Sequence, residues 1–199
     1  MDKIKWYLDI AEVVSERSTC VRKKVGALIV VDDTIVSEGY VGSPRGRSHC
    51  TDIGKCYRDE YKVAHGKDYE NYCRSVHAEM NACLHAGRER AKGGTLYVYG
   101  SPYLCHLCIR VILNTGLKDV YLRGYDEKSD QIFVQYFPHN ALLKMINEAD
   151  QWVGDQIQKR IQESAVTTVT HSCPFDSYTH SGKSNDFHTK DDNIIKVVV

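Results

Sequence analysis

The chain has 199 residues, of which 42% are hydrophobic and 26% are charged, and its formal net charge is zero. This composition is ordinary for one well-buried domain with an appendage. The lack of a net positive charge argues against long nucleic acid as a ligand. No apolar run approaches the ~18 residues of a membrane span, and the N-terminus has no apolar signal core, so we expect a cytoplasmic protein.

The first part of the chain predicts a helix, a β-hairpin and a long loop. Apolar residues recur at helical spacing over residues 4–17. Residues 25–31 are a continuous apolar run typical of a buried strand, and residues 34–40 give its hairpin partner after an Asp-Asp turn. Residues 42–73 are polar and lack periodicity. A loop of that length needs an external stabiliser, and a bound metal is one.

Helices and strands alternate in the rest of the chain. We expect a helix from near Val76, with Ser75 as its cap and with Met80, Cys83 and Leu84 as its core face. A second helix begins at about residue 105, and a long one covers residues 139 to about 161. Residues 95–99 are a predicted strand between the helices that begin near Val76 and at about residue 105. Residues 118–122 and 132–137 are predicted strands between the latter helix and the long one. This order predicts a three-layer α/β domain with a mostly parallel or mixed sheet.

Beyond residue 162 polar residues dominate. We therefore predict a domain over residues 1–162, with a cysteine-rich insertion at 42–73, and a polar C-terminal tail over 163–199. The last six residues are strand-like and suit a sheet edge.

Two short motifs carry the chemistry. His77-Ala78-Glu79 opens one predicted helix, and Cys105-His106-Leu107-Cys108 opens the next. A catalytic zinc takes three protein ligands and leaves a position for water, and the start of a helix favours thiolates. His77, Cys105 and Cys108 therefore form a candidate ligand set, with Glu79 placed to accept a proton from the water. Taken singly, the first motif is often accidental, and the second also suits a redox pair or half of a structural zinc site.

The segment His77-Ala78-Glu79-Met80-Asn81-Ala82 resembles the signature of deoxycytidylate deaminases in the cytidine deaminase superfamily. The resemblance extends to residues 17–20, 25–27, 39–44 and 49–50. It implies a cytidine-deaminase-like αβα sandwich around a five-stranded mixed sheet. The implied enzyme is a hydrolase acting on a cyclic amidine, which converts dCMP to dUMP and ammonia and feeds thymidylate synthesis. It also implies a homo-oligomer, often a hexamer, with dCTP and dTTP as effectors.

By the same resemblance, His77, Cys105 and Cys108 correspond to the zinc ligands, and Glu79 carries the proton to N3 and then to the leaving amine. The chain departs from the family pattern at two positions. Leu104 stands where the family usually has proline, and Val41 stands where it has an asparagine that contacts nucleotide. Valine makes no hydrogen bond to sugar or phosphate, so we expect nucleotide or effector recognition to differ here.

Four further cysteines suggest a second, structural zinc. Some family members hold such an ion in this region, and Cys20 and Cys50 resemble positions used there. With Cys56 and Cys73 they make a closed four-thiol site, for which His49 is a substitute ligand. The alternative is four reduced cysteines, some of them buried as small apolar residues.

The phosphate of a nucleotide needs cationic or hydroxyl partners. Arg22 and Lys24 precede the first strand, Arg45 lies in the Gly-Pro loop, and Tyr125 resembles a tyrosine that the family places near the phosphate. With Val41 these form the predicted substrate contacts.

Three other functions stay open. The first is deamination of another cytosine nucleotide, such as dCTP or a modified dCMP, because of Val41. The second is deamination within RNA or DNA, which the neutral charge disfavours. The third is a non-catalytic zinc scaffold, for which Glu79 has no purpose.

Overall fold

The computed structural model describes residues 2–63, 72–126, 128–164 and 196–198. Most of the predicted tail and part of the predicted insertion lie outside these ranges. The chain divides into two compact units, Met1–Ile146 with Ile194–Val199, and Asn147–Asn193. The helices are α1 (Lys3–Ser15), α2 (Cys50–Ile53), α3 (Tyr57–Glu60), α4 (Ala78–Ala91), α5 (His106–Thr115) and α6 (His139–Ser164), and the strands are β1 (Gly26–Val31), β2 (Thr34–Tyr40), β3 (Thr95–Tyr99), β4 (Asp119–Asp126), β5 (Gln131–Pro138) and β6 (Lys196–Val198).

The strands form one mixed sheet in the order β2-β1-β3-β4-β5-β6. β3 and β4 run parallel and are connected through α5, and the other neighbours are antiparallel. The turn between β1 and β2 holds Asp32 and Asp33 at φ of 47° and 63°, the left-handed geometry that a tight hairpin favours. The predicted five-stranded mixed sheet is confirmed, and the short β6 extends its edge.

Alternate residues of β1 feed two cores on opposite faces of the sheet. Leu28 and Val30 pack towards α1, whereas Ala27 and Ile29 pack towards α4 and α5. The predicted three-layer αβα sandwich is therefore confirmed. No helix within the described ranges combines the length and hydropathy needed to cross a membrane.

Helix α4 differs from its prediction at both its start and its buried face. It begins at Ala78, and its N-cap is His77 in an extended conformation, so the expected cap at Ser75 is wrong. Leu84 is 70% exposed, so its place in the core is wrong as well. Small residues, Ala82 among them, cover most of the buried face instead, because α4 lies in direct backbone contact with β2.

The described part of the predicted insertion at 42–73 contains two short helices rather than one continuous loop. α2 and α3 lie within it, and an ion pair between Lys55 and Glu60, 2.7 Å apart, spans the second of them. Residues 64–71 of the insertion lie outside the described residues.

Candidate active site

The starts of α4 and α5 bring the two predicted motifs together. His77 is the N-cap residue of α4, and Cys105 is that of α5. Val76 pairs with Gly42 in an isolated β-bridge, which fixes the chain directly before His77. The amide of Cys108 donates a hydrogen bond to the Cys105 sulfur at 3.2 Å, so the first turn of α5 directs both thiols to one point.

Three ligand atoms converge there at distances that suit zinc. Nδ1 of His77 lies 3.3 Å from the Cys108 sulfur and 3.4 Å from the Cys105 sulfur. Tetrahedral Zn–N and Zn–S bonds separate N and S by about 3.6 Å. Within the described residues, this is the single His/Cys/Asp/Glu group with three ligand atoms within 4.8 Å of one another. The donor set therefore fits Zn²⁺ and leaves one position of the tetrahedron to a non-protein ligand.

The two thiols titrate as a pair. A hydrogen bond with Cys108 is the main reason why the pKa of Cys105 falls to about 4. The same contact, added to burial, raises the pKa of Cys108. In the metal-free pair one sulfur is thus a thiolate and the other a thiol. A zinc ion takes both as thiolates, since its charge removes the second proton.

Glu79 lies in the first turn of α4 and is only 3% exposed. Burial raises the pKa of its carboxyl group, and the hydrogen bond to its own backbone N–H and the nearby His77 oppose this rise only in part. A carboxyl group with a raised pKa can both accept and return a proton near neutral pH.

Side-chain hydrogen bonds hold α4 in place on the sheet. The amide nitrogen of Asn81 donates to the Tyr40 carbonyl at 2.8 Å, and the Ser37 hydroxyl donates to the Ala82 carbonyl at 2.7 Å. Both bonds connect α4 to β2. The position of Glu79 is therefore set by the edge strand of the sheet.

A cavity of about 160 Å³ opens beside the candidate zinc ligands. Its walls combine the catalytic motif with the cysteine-rich segment and with several aromatic and cationic side chains. Those that bear on the chemistry are Glu79, His77, Cys105, Tyr103, Arg58 and Arg22.

A second cavity, of about 250 Å³, shares Arg22 and Lys23 with the first one. Lys24, Tyr99 and Tyr125 also line it. The two cavities are therefore neighbours, and cationic side chains stand at the boundary between them.

The predicted substrate contacts fall into three groups. Arg22 lines both cavities, and Lys24 and Tyr125 line the second. Val41 is 8% exposed and lines the first cavity. Arg45 is exposed and belongs to neither cavity. The Tyr125 hydroxyl donates a hydrogen bond to Asp130.

The second cysteine set lies on the wall of the first cavity. Cys20, Cys50, Cys56 and Cys73 all line it. Burial is the main cause that raises the pKa of Cys50, and the nearby thiols of Cys20 and Cys56 raise it further. Within the described residues, these sulfurs do not form a group of three atoms that all lie within 4.8 Å of one another, as the ligand atoms of the first set do. The Nδ1 atom of His49 is buried and has no hydrogen-bond partner among the residues that the structure describes.

The sequence patterns missed several residues of the cavity walls. Lys23, Arg58 and Tyr103 line one or both cavities, although none stands in a recognisable motif. Lys23 follows a predicted contact directly, which is a usable signal. Arg58 lies in a polar stretch, where no periodicity separates a buried side chain from an exposed one.

Comparisons with known proteins agree with this geometry. The deoxycytidylate deaminase of Schizosaccharomyces pombe is 34% identical over 125 residues, which are 62% of this chain and 38% of that protein. The deoxycytidylate deaminase of Mycobacterium phage D29 is 37% identical over 119 residues, 58% of this chain and 90% of that protein. The ComE operon protein 2 of Bacillus subtilis is 33% identical over 158 residues, 78% of each chain. Residues 1–123 match the model of the cytidine and deoxycytidylate deaminase zinc-binding region, and the chain belongs to this family.

Proposed function

We propose that this protein is a zinc-dependent hydrolase that deaminates dCMP to dUMP and ammonia. The observation that carries the proposal is the convergence of His77, Cys105 and Cys108 at zinc-ligand distances, with the buried Glu79 on the wall of the same cavity. The two deoxycytidylate deaminases among the relatives support the choice of substrate.

In the proposed mechanism, Zn²⁺ held by the three ligands lowers the pKa of a bound water and acts as a Lewis acid. Glu79 would accept one proton from the attacking water and pass it to N3 of cytosine as the water oxygen bonds to C4. It would then take the second proton from the hydroxyl group now on C4 and pass it to the amine, and the C4–N bond would break to release ammonia. Its burial supports this role, because a raised pKa suits a group that must both take and give a proton. A base bound in this cavity would lie next to the carboxyl group of Glu79.

We propose that the 5′-phosphate lies towards the second cavity. Arg22, Lys24 and Tyr125 were predicted as substrate contacts and line it, and Lys23 adds a third cation. The boundary between the cavities supports this assignment, because a nucleotide with its base at Glu79 extends past Arg22. Arg45, which is exposed and outside both cavities, is a weaker contact.

We also propose a second, structural zinc held by Cys20, Cys50, Cys56 and Cys73. Their position on the wall of one cavity supports it, as does the influence of the nearby Cys20 and Cys56 thiols on the pKa of Cys50. Closing the site requires the sulfurs to move towards one another, and ion binding can provide the free energy for it. His49 is the proposed substitute ligand, because its Nδ1 is buried and no described residue forms a hydrogen bond with it.

The family resemblance further supports a homo-oligomer, often a hexamer, and dCTP and dTTP as effectors. Val41, which is buried, removes the hydrogen-bonding side chain that relatives carry at this position, so we propose an altered effector response. Both zinc sites need reduced thiols, which favours the cytoplasm as the compartment.

The test is a substrate panel. Purified zinc-loaded protein is incubated with dCMP, dCTP, CMP, cytidine and single-stranded oligonucleotide, and ammonia release is followed. We expect the highest kcat/KM with dCMP. Preferred turnover of dCTP, or of the oligonucleotide with a steep salt dependence, would replace the proposal by one of its alternatives. A lack of turnover on every compound would leave a zinc scaffold.

A further inference from the structure

Arg58 is a buried cation on the wall of the cavity that holds the candidate zinc ligands. It is 8% exposed, although it belongs to a four-residue helix within the polar insertion. Its guanidinium lies close enough to the Tyr103 phenol to oppose the rise in the pKa of this phenol that burial causes. Tyr103 stands two residues before Cys105 and lines the same cavity. Arg58 therefore contributes a positive charge to the wall of the cavity that His77 and Cys105, two of the candidate metal ligands, also line.

The helix that carries Arg58 is anchored on two sides. The neighbouring Asp59 forms an ion pair with Arg22, with N and O atoms 2.8 Å apart. The backbone carbonyl of Arg58 accepts a hydrogen bond from the amide of Val63 at 2.8 Å. Because Arg22 borders both cavities, the ion pair fixes α3 against the boundary between them.

The balance of charge in the first cavity favours an anionic ligand. Among the described residues, its lining includes four cationic side chains, Arg22, Lys23, Arg58 and Arg74, and one carboxyl group, that of Glu79. Arg22 is also paired with Asp59, which does not line the cavity. Arg74 already donates to the Ser48 carbonyl at 3.2 Å and lies over the Tyr57 ring. A guanidinium with little contact to water attracts an anion more strongly than an exposed one does, because the local dielectric is low.

We infer that Arg58 contacts the phosphate of the substrate and makes the enzyme select nucleoside monophosphates over nucleosides. This inference rests on the proposed deamination of dCMP and adds a specificity residue to it. A guanidinium offers a planar fork of N–H donors that matches two phosphate oxygens at once. Arg58 lines the first cavity only, so a phosphate in contact with it lies at the boundary between the two cavities, where Arg22 and Lys23 line both.

The experiment compares Arg58→Gln and Arg58→Lys with the wild type, and uses Arg47→Gln as the matched control, since Arg47 is an exposed arginine outside both cavities. Rates are measured with dCMP and with deoxycytidine, which lacks the phosphate. We expect Arg58→Gln to raise KM for dCMP about tenfold or more while kcat stays within about threefold. Catalytic efficiency with deoxycytidine stays within about twofold, and Arg58→Lys recovers part of the loss. The control behaves like the wild type.

Zinc content and thermal unfolding are measured for every variant. An equal loss on dCMP and deoxycytidine, or an unchanged KM for dCMP, overturns the inference. If Arg58→Gln does not fold, Arg58→Lys decides alone: a raised KM for dCMP supports the inference, and an unchanged KM overturns it.

Calorimetric titration with dUMP separates this inference from the proposed function. If the wild type turns over none of the substrates, the deaminase proposal fails. A dUMP affinity that falls about tenfold in Arg58→Gln still supports a phosphate contact in that case. An unchanged affinity for dUMP rejects it.

Discussion

The carboxyl group of Glu79 combines burial with a place two residues after a candidate zinc ligand, His77. At 3% exposure it has little contact with solvent, and burial raises its pKa. The three metal-ligand atoms, by contrast, belong to His77 and to the start of α5. Proton transfer and metal binding are thus assigned to different side chains, so they can be separated by mutation.

We predict that Glu79→Ala lowers kcat on dCMP by about 10³-fold, within the range for general acid–base groups, and retains the catalytic zinc. The measurements are ammonia release and zinc per chain. Glu89→Ala, at an exposed carboxylate on the same helix, is the control and keeps full activity. Loss of zinc in Glu79→Ala would instead assign Glu79 to the structure of the site.

At this scale, the ligands were predictable and part of the cavity wall was not. His77, Cys105 and Cys108 stand in short motifs with fixed spacing, and helix starts bring such motifs to one point. Arg58 gives no such signal, because its burial depends on how α3 folds back over the cavity. The choice of His77 over Ser75 as the cap also depends on a non-local contact, the bridge between Gly42 and Val76.

The contact between β2 and α4 depends on the absence of a side chain at Gly39. A Cβ atom there would lie 2.3 Å from the Ala78 carbonyl oxygen and 2.4 Å from the Ala82 nitrogen. Both atoms belong to the backbone of the helix that carries Glu79, so a larger residue must displace the whole helix.

We predict that Gly39→Ala destabilises the fold by about 3 kcal/mol and lowers kcat/KM at least about tenfold in the folded fraction. Urea unfolding and dCMP turnover per bound zinc provide the measurements. Gly154→Ala is the matched control, because no atom of the described residues outside its own helix backbone lies within 4 Å of its added Cβ. We expect it to be neutral or stabilising by up to about 1 kcal/mol. Equal behaviour of the two variants would refute the contact argument.

A row of tyrosines crosses the face of the sheet that α1 covers in part. The ring centroids of Tyr97 and Tyr121 are 5.4 Å apart, and those of Tyr121 and Tyr136 are 4.8 Å apart. Burial is the main reason why the pKa of Tyr97 rises from its ordinary 10.0 to about 12. Because the folded-state pKa is the higher one, the stabilisation is complete below the unfolded pKa and is lost as the pH rises from 10 towards 12.

We predict that the free energy of unfolding falls by about 1 kcal/mol less in Tyr97→Phe than in the wild type as the pH rises from about 9 to about 11. Urea unfolding at both values measures the difference. Tyr61→Phe serves as the control, since Tyr61 is 62% exposed and its removal leaves the wild-type slope. Identical alkaline slopes for Tyr97→Phe and the wild type would contradict the burial argument.

At the level of the whole molecule, the fold class was predictable and the sheet order was not. The alternation of apolar runs and helical periods is local, and it indicates an α/β sandwich directly. The placement of β1 between β2 and β3, with β3 parallel to β4, results from long-range pairing that no single segment encodes. The cysteine-rich insertion was predicted as a loop because its two helices have four residues each, too few for a periodic pattern.

The number of zinc ions per chain tests how the insertion is connected to the rest of the molecule. We predict two ions in the wild type. Cys108→Ala removes the catalytic ion and abolishes turnover. Cys50→Ala removes the structural ion and lowers the melting temperature by several degrees, at about 2–4 °C per kcal/mol of lost stability for a chain of this size. It also raises KM for dCMP, because the ligands Cys20 and Cys56 stand two residues from Arg22 and Arg58. Metal analysis, thermal unfolding and dCMP kinetics are the measurements.

Cys83→Ala is the control, since Cys83 is buried against α5 and outside the cavity, so both ions remain. One zinc per chain in the wild type, with Cys50→Ala leaving that count unchanged, would reject the second site and leave the four thiols as reduced cysteines of the cavity wall.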